Sequence, residues 1–296
     1  MAVSRTLVGA LRRVYRFLKW DVFEGMFLLA YGRVRHRQTR AKTTPSNSHC
    51  YTCFFRSPPQ LDVLTGPVVQ RLGGDARELR FVVFAASNGA EPYTFASELI
   101  FRRPGLRFHI RASDLHPQNI EKARSATYTR QEITQGVAVP EAFIARTFDR
   151  TGDAYTVKAS IRERVSFEQA DLLDPALAER FAGADVVAVQ NVLFHMPPEL
   201  SGRALQRIRQ LLRPGSVLLL EGMDLDQRVA FVRETGLVPL SHRVREIHQY
   251  SRFHIPFPWW RYPYGAEPYT VFAANRRVRY GTIFEMPRAP VGQGVQ

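Results

Sequence analysis

The chain has 296 residues, 45% hydrophobic and 23% charged, which fits one large globular domain, or one domain with appendages, that needs no disulfide framework. Its two cysteines, Cys50 and Cys53, cannot form such a framework, so we expect a reducing compartment. The formal net charge of +14 favours contact with acidic partners. No apolar run approaches the roughly 20 residues of a membrane span, and the N-terminus lacks a signal-peptide pattern, so we predict a cytoplasmic protein.

Residues 1–47 are predicted to form a basic helical region followed by a linker. The apolar residues of this region follow helical spacing, at Leu7, Leu11, Val14, Leu18 and Val22. One interpretation is a helix packed on the main domain, and the other is a docking surface for an acidic partner or a membrane. The polar stretch 39–49 is expected to lead into a single domain that spans residues 48–296.

From residue 80 onward, apolar runs alternate with helical patterns. Strands are predicted at 80–85, 106–114, 185–189 and 216–220, and helices at 93–102, 117–125, 198–212 and 225–235. Continuous apolar strands between helices are typical of a parallel sheet covered on both faces. The chain is therefore predicted to be an α/β protein with a doubly wound, Rossmann-like sheet. We also expect a small β insertion at about 145–167 and an aromatic-rich C-terminal extension at about 224–296, ending in a strand near 280–284.

Polar or small residues follow several of these strands, where ligands bind in doubly wound sheets. The turn 86–89 lets a ligand approach the backbone closely, and the next helix offers N–H groups to an anion. Asp114 ends the following strand, where an acidic residue can accept hydrogen bonds from ribose hydroxyls. The pairs 171–172 and 191–192 end later segments. A strict Gly-x-Gly-x-x-Gly and a P-loop lysine are both missing, which argues against a nicotinamide or nucleotide-hydrolysing site.

Five stretches in this order resemble the CheR-type (chemotaxis-receptor) methyltransferases, over roughly residues 45–222. They are Thr-Cys-Phe-Phe-Arg at 52–56, Ala-Ala-Ser-Asn-Gly-Ala-Glu-Pro-Tyr at 85–93, Ala-Ser-Asp-Leu at 112–115 with Glu-Lys-Ala-Arg at 121–124, Asn-Val-Leu at 191–193, and Leu-Leu-Arg-Pro-Gly at 211–215. The resemblance implies a class I methyltransferase that uses S-adenosyl-L-methionine. It further implies that residues 150–167 are the small β-subdomain of the family, which in some members docks a receptor tail peptide.

The turn and the resemblance together predict a set of cofactor contacts. These are Thr52, Arg56, Ala86, Asn88, Glu91, Asp114, Asp171, Leu172, Asn191 and Val192. Ala90 stands where the family usually has a glutamate, so Glu91 is the carboxylate that we expect to face the cofactor. The resemblance also implies that Arg56 lies near the methyl acceptor, where a guanidinium suits a carboxylate.

Several departures from the family fall where the acceptor would be recognised. Gln190 replaces an arginine, His195 replaces a tyrosine, and the run 221–224 differs throughout. His195 is either a general base for a hydroxyl or amine acceptor or a packing residue at the rim. The aromatic residues of the extension form either a wall of the acceptor site or additional core, and the predicted substrate contacts among them are Trp259, Trp260 and Tyr262.

The main prediction is a methyltransferase that acts on a small molecule in bacterial secondary metabolism. The alternative is a protein-glutamate carboxyl O-methyltransferase, and a third hypothesis is a non-enzymatic module that binds S-adenosylmethionine. No metal site is expected, and nucleic-acid binding is not favoured. Cys53 is interpreted as a small packed residue, and three histidines spaced six residues apart are interpreted as surface or rim residues: His242, His248 and His254.

Overall fold

The computed structural model describes residues 52–73, 76–253 and 267–288, together with six isolated helical positions among the first 38 residues. The rest of the predicted N-terminal region and linker, and the aromatic residues Trp259, Trp260 and Tyr262, lie outside the described residues. Within the described part, no helix has the length and apolar character that a membrane crossing requires.

Seven strands form the central sheet, in the order β6-β2-β1-β7-β8-β10-β9. Their bounds are β1 Leu79–Phe84, β2 Phe108–Asp114, β6 Val165–Gln169, β7 Val186–Gln190, β8 Val217–Glu221, β9 Val238–Pro239 and β10 Ile283–Glu285. The strands from β6 to β8 are parallel, whereas β10 runs antiparallel between β8 and β9. The order reverses between β1 and β7, so the predicted Rossmann-like α/β fold is confirmed and its ligand crevice lies at that reversal.

Helices connect and cover these strands. They are α1 Pro58–Val63, α2 Val69–Arg71, α3 Ala90–Arg102, α4 Pro117–Ser125, α5 Arg130–Thr134, α6 Glu141–Thr147, α7 Ala159–Arg162, α8 Leu177–Arg180, α9 Pro198–Leu211, α10 Leu225–Thr235, α11 Val244–Phe253 and α12 Arg276–Tyr280. A π-helical turn, Leu64–Val68, joins α1 to α2. A second, antiparallel sheet has the order β3-β5-β4, with β3 Thr127–Thr129, β4 Phe148–Thr151 and β5 Ala154–Val157.

The core forms on both faces of the central sheet because the inner strands are apolar at almost every position. All five residues of β7 are buried, and so are all five of β8. Alternate side chains enter opposite core clusters: Ala188 and Leu219 on one face, Val189 and Leu220 on the other. Helix α9 buries a single apolar stripe against the second cluster.

Some predicted boundaries are wrong, for local reasons. Helix α3 begins at Ala90 rather than at residue 93, because Gly89 starts the helix with φ of 89° and a proline is tolerated in the first turn. The strand expected near 280–284 begins only at Ile283, since Tyr280 ends helix α12. The expected β insertion at about 145–167 contains strands only as far as Val157, where a short helix follows before β6. Strand β6 was not predicted, because its short alternating pattern is that of a sheet edge.

A buried ion pair fixes the last described segment to the domain. Arg279 contacts both carboxylate oxygens of Glu267, with 2.8 Å between Nη2 and Oε2, and its Nη1 lies 2.6 Å from Oδ1 of Asp226 on α10. The hydroxyl of Tyr280 also donates to Glu267, at 3.3 Å. These bonds hold the chain that leads into β10 against α10.

Candidate functional site

The turn after β1 has an unusual backbone. Ala85, Ser87 and Gly89 all have positive φ, at 54°, 49° and 89°. A Cβ atom at Gly89 would lie 3.2 Å from the hydroxyl of Tyr128, and that hydroxyl donates to the carbonyl of Asn88 at 2.6 Å. The turn is therefore held in a conformation that costs strain, as is common at binding sites.

Asp114, at the end of β2, fastens this turn. Its Oδ2 accepts a hydrogen bond from the backbone N–H of Ser87 at 2.8 Å, and its Oδ1 accepts from the backbone of His116 at 3.0 Å and from Nδ2 of Asn119 at 2.9 Å. A carboxylate has about four lone-pair positions, so about one remains for a ligand. The sequence predicted only the ligand contact, whereas the structure shows that Asp114 also builds the turn.

The turns after β7 and β8 are in direct contact. Asn191 has φ of 55°, and its N–H donates to the carbonyl of Glu221 at 2.9 Å. The backbone N–H of Phe194 donates to the carbonyl of Gly222 at 3.1 Å. A Cβ atom at Gly222 would lie 2.6 Å from both Cα and Oδ1 of Asn191, so only glycine permits this approach.

The loop after β6 reaches the same edge of the sheet. The N–H of Ala170 donates to the carbonyl of Asp114 at 3.1 Å. Asp171 is exposed and its Oδ1 accepts from the backbone of Leu173 at 2.9 Å, whereas Leu172 is buried in the core. The predicted pair 171–172 thus lies at this edge of the sheet, with the polar side chain exposed and the apolar side chain in the core.

The segment before α1 brings Arg56 to the site. Phe54 and Phe55 are buried, and the N–H of Phe55 donates to Oγ1 of Thr94 on α3 at 3.1 Å. This anchor places the Arg56 guanidinium close enough to Glu91 to lower the pKa of that carboxyl. Arg56 is half-buried, as is Thr52.

Glu91 lies in the first turn of α3, and the pKa of its carboxyl is raised. Burial raises its pKa to about 7; Arg56 opposes this rise and Glu221 adds to it. Among the described residues, the Glu91 carboxylate accepts no hydrogen bond from a side chain or from the backbone. A part-buried carboxylate of this kind suits a cationic ligand, and S-adenosylmethionine carries a sulfonium and an ammonium group.

Two predicted acceptor residues lie at the end of β7. Gln190 is buried, and its Oε1 has no hydrogen-bond partner among the residues that the structure describes. His195 ends a 3₁₀ turn, is part-exposed, and its ring centroid lies 4.0 Å from that of Phe194. Val192 is also part-exposed, and its carbonyl accepts from the backbone of His195 at 3.0 Å.

Sequence reasoning noted Glu221 only as part of the run 221–224, and it missed the polar partners that the fold brings to this residue. Glu221 is buried, and its Oε2 lies 3.4 Å from Nε2 of Gln60, which also donates to Oγ1 of Thr282 at 3.2 Å. The signal was available for Glu221, since it is the charged residue that ends an apolar run. It was not available for Thr282, which the fold brings from 61 residues further along the chain.

The interpretation of His248 as a surface or rim residue is wrong. Its ring is buried, lies 2.7 Å from the carbonyl of Glu267 and stacks at 4.7 Å on Tyr280. Cys53 is buried, as expected of a packed residue, and burial raises the pKa of its thiol. In the described ranges, no group of three histidine, cysteine, aspartate or glutamate side chains could hold a metal ion.

Residues 51–227 match a family model described as the SAM binding domain of CheR methyltransferases. The chain belongs to the CheR methyltransferase family. Residues 51–227 are therefore the S-adenosylmethionine-binding domain of a methyltransferase, as the resemblance implied. The matched domain runs from the Arg56 segment into α10. It contains the carboxyl ends of β1, β2, β6, β7 and β8. Strands β9 and β10 lie beyond it.

The named relatives of this chain are bacterial. It is 29% identical to a chemotaxis protein methyltransferase of Vibrio parahaemolyticus over 63% of this chain and 68% of the relative, and 31% identical to a Pseudomonas putida protein named probable biofilm formation methyltransferase WspC over 62% and 47%. A Rhodobacter capsulatus protein without a named function is 32% identical over 58% of this chain and 18% of its own length. The chain thus spans less than half the length of two of these relatives.

Proposed function

We propose that this chain transfers a methyl group to a side-chain carboxylate of a protein, giving a glutamate methyl ester. The names of its relatives, chemotaxis protein methyltransferases among them, support this alternative over the small-molecule acceptor that was our main prediction from the sequence. The proposal concerns the acceptor, since the methyl donor follows from the family.

The position of Arg56 carries the proposal. Arg56 directly follows two buried phenylalanines, and its guanidinium lies within electrostatic reach of Glu91, in the first turn of the helix that follows β1. A carboxylate acceptor is ionised at neutral pH and needs no base, but it does need a cation to hold and orient it. Arginine can donate two parallel hydrogen bonds to a carboxylate, which fixes its direction as well as its position.

Each of three residues at the site would have a separate role in binding. Glu91 would hold the cationic end of the donor, Asp114 would offer its remaining lone pair to a hydroxyl, and Arg56 would hold the acceptor. S-adenosylmethionine supplies, when bound, an electrophilic methyl group for a carboxylate oxygen. Arg56 orients that oxygen, which is the main requirement for transfer between two bound groups.

A second candidate function follows from His195. Its part-exposed imidazole directly follows the Asn191 turn, where it could take a proton from a hydroxyl or amine acceptor. Under the carboxylate proposal, His195 has no proton to take. His195→Phe should then leave the turnover number and its pH profile within about twofold of the wild type, whereas a general base would cost about 100-fold or more.

The test incubates the full chain with methyl-labelled S-adenosylmethionine and either bacterial membrane and soluble protein or a small-molecule extract. We expect label in protein that mild base releases as methanol, since esters are base-labile. Arg56→Gln should lower this transfer about 100-fold. Arg107→Gln, a change at an exposed residue on the opposite edge of the sheet, should not. Base-stable label, or label only in small molecules, would overturn the proposal.

A further inference from the structure

Two buried polar side chains end neighbouring strands beside the methyl-transfer site. Gln190 ends β7 and Glu221 ends β8, and the two are direct register partners in the parallel pair. Gln190 lies two positions after Ala188, and Glu221 lies two positions after Leu219. Ala188 and Leu219 belong to the same core cluster. Side chains two apart on a strand share a face, so Gln190 and Glu221 lie side by side. They are 6% and 7% exposed.

The hydrogen bonds of this pair are incomplete. Glu221 accepts one long bond, 3.4 Å from Nε2 of Gln60, at its Oε2, and its Oε1 has no partner among the described residues. The Gln190 amide makes no hydrogen bond within the same ranges, and its Oε1 is fully buried. Buried oxygens are nearly always bonded, so the buried Oε1 of Gln190 beside the unbonded Oε1 of Glu221 indicates a place for a donor from outside the described residues.

Arg228 is the cation near Glu221, but it does not fill this place. Its Nη1 donates to the backbone carbonyls of Gly281 at 2.8 Å and Arg279 at 3.3 Å. No ion pair joins Arg228 to Glu221 in the described part of the chain. The positive charge of Arg228 therefore offsets part of the cost of burying Glu221 without using the lone pairs of its carboxylate.

We propose that Gln190 and Glu221 form a subsite for a primary ammonium group that the methyl acceptor carries, namely a lysine side chain close to the methylated carboxylate. A primary ammonium has three N–H donors and can satisfy both oxygens together, whereas a backbone amide has only one. The carboxylate of the acceptor would lie on Arg56 and its ammonium on Glu221. This inference rests on the proposed function, since it names a feature of the protein segment that is methylated.

Calorimetry on the full chain saturated with S-adenosylhomocysteine tests the subsite. The probes are two peptides, acetyl-Ala-Lys-Glu-Lys-Ala-amide and the same peptide with norleucine at both lysine positions. We expect the lysine peptide to bind at least about 10-fold more tightly, because a charge-assisted hydrogen bond is lost in the other. Glu221→Gln should abolish the preference, and Gln190→Glu should increase it.

A control variant lies on the same sheet. Glu285→Gln changes a part-buried carboxylate whose partner in the ladder is Val217, at the opposite end of β8 from Glu221, and it should keep the preference. Equal binding of the two peptides, binding of neither, or a preference that survives Glu221→Gln overturns the subsite. Weaker S-adenosylhomocysteine binding in Glu221→Gln also overturns it, because Glu221 would then serve the donor. Failure of the proposed function is separate, since it is a lack of base-labile methyl transfer by the wild type.

Discussion

Replacing Glu91 with glutamine tests how the chain holds the cationic donor. The pKa of Glu91 is raised to about 7, so the ionised fraction is about one-tenth at pH 6 and about nine-tenths at pH 8. If the ionised form binds S-adenosylmethionine and the neutral form does not, the affinity rises about 10-fold over this range. Glu91→Gln keeps the size of the side chain and removes the ionisation, so this rise should disappear and binding at pH 8 should weaken.

Calorimetry at pH 6, 7 and 8 provides the measurement, in two buffers that differ in ionisation enthalpy. At pH 7 the wild type should release about half a proton on binding, because the ligand favours the ionised carboxylate. The ammonium group of the donor titrates on its own, but that contribution is common to both proteins and cancels in their difference. Glu121→Gln, a change at an exposed carboxylate on α4, should retain the wild-type slope.

An equal slope in the wild type and in Glu91→Gln would refute this reasoning. Two further observations bear on it. Arg56 lowers the pKa of Glu91, so Arg56→Gln should move the midpoint of the pH dependence above 7. The raised pKa also means that the folded state retains a proton that the unfolded chain releases. The ligand-free wild type should therefore lose stability, relative to Glu91→Gln, as pH rises from about 4.5 to about 7 in thermal unfolding.

Two other substitutions test the architecture. Gly222→Ala forces a Cβ atom against Asn191 and should lower the free energy of unfolding by about 2 kcal/mol and weaken S-adenosylmethionine binding about 10-fold or more. Gly236→Ala, at a similar φ with open space around it, should cost about 1 kcal/mol and leave binding unchanged, and equal effects would contradict the contact. Glu267→Gln breaks a buried ion pair and should cost about 3 kcal/mol in urea unfolding. As a control, Glu234→Gln breaks an exposed ion pair and should cost under about 0.5 kcal/mol. An equally small effect of Glu267→Gln would refute the anchoring role of Glu267.

The sequence was sufficient for the parts of the fold that depend on local pattern. The inner strands are continuous apolar runs, and each is followed by a helix with one apolar face, so their order and type could be predicted. Strand β10 could not be placed in the same way. It is three residues long, and its position between β8 and β9 depends on pairing with a strand more than 60 residues away.

The candidate site shows the same difference between what local pattern predicts and what long-range contacts decide. Glu91 and Asp114 follow strand ends that are visible in the sequence, and their family motifs name them. Spacing cannot reveal that the Asp114 carboxylate accepts three hydrogen bonds from the chain itself, or that Glu221 has an unbonded oxygen. His248 was misjudged because its burial depends on the packing of α11 against a segment that follows it by about 20 residues.

The antiparallel strand β10 has a consequence for how this protein is divided. The match to the family model ends at residue 227, yet the backbone N–H of Leu220 donates to the carbonyl of Thr282 at 2.8 Å, and Ile283 packs into the same core as the matched domain. A fragment cut at the homology boundary would leave the β8 edge without its ladder and Gln60 without one of its two partners. The length of chain that the family model describes is thus shorter than the length that packs into one core, and a domain cut at residue 227 would lose one side of its central sheet.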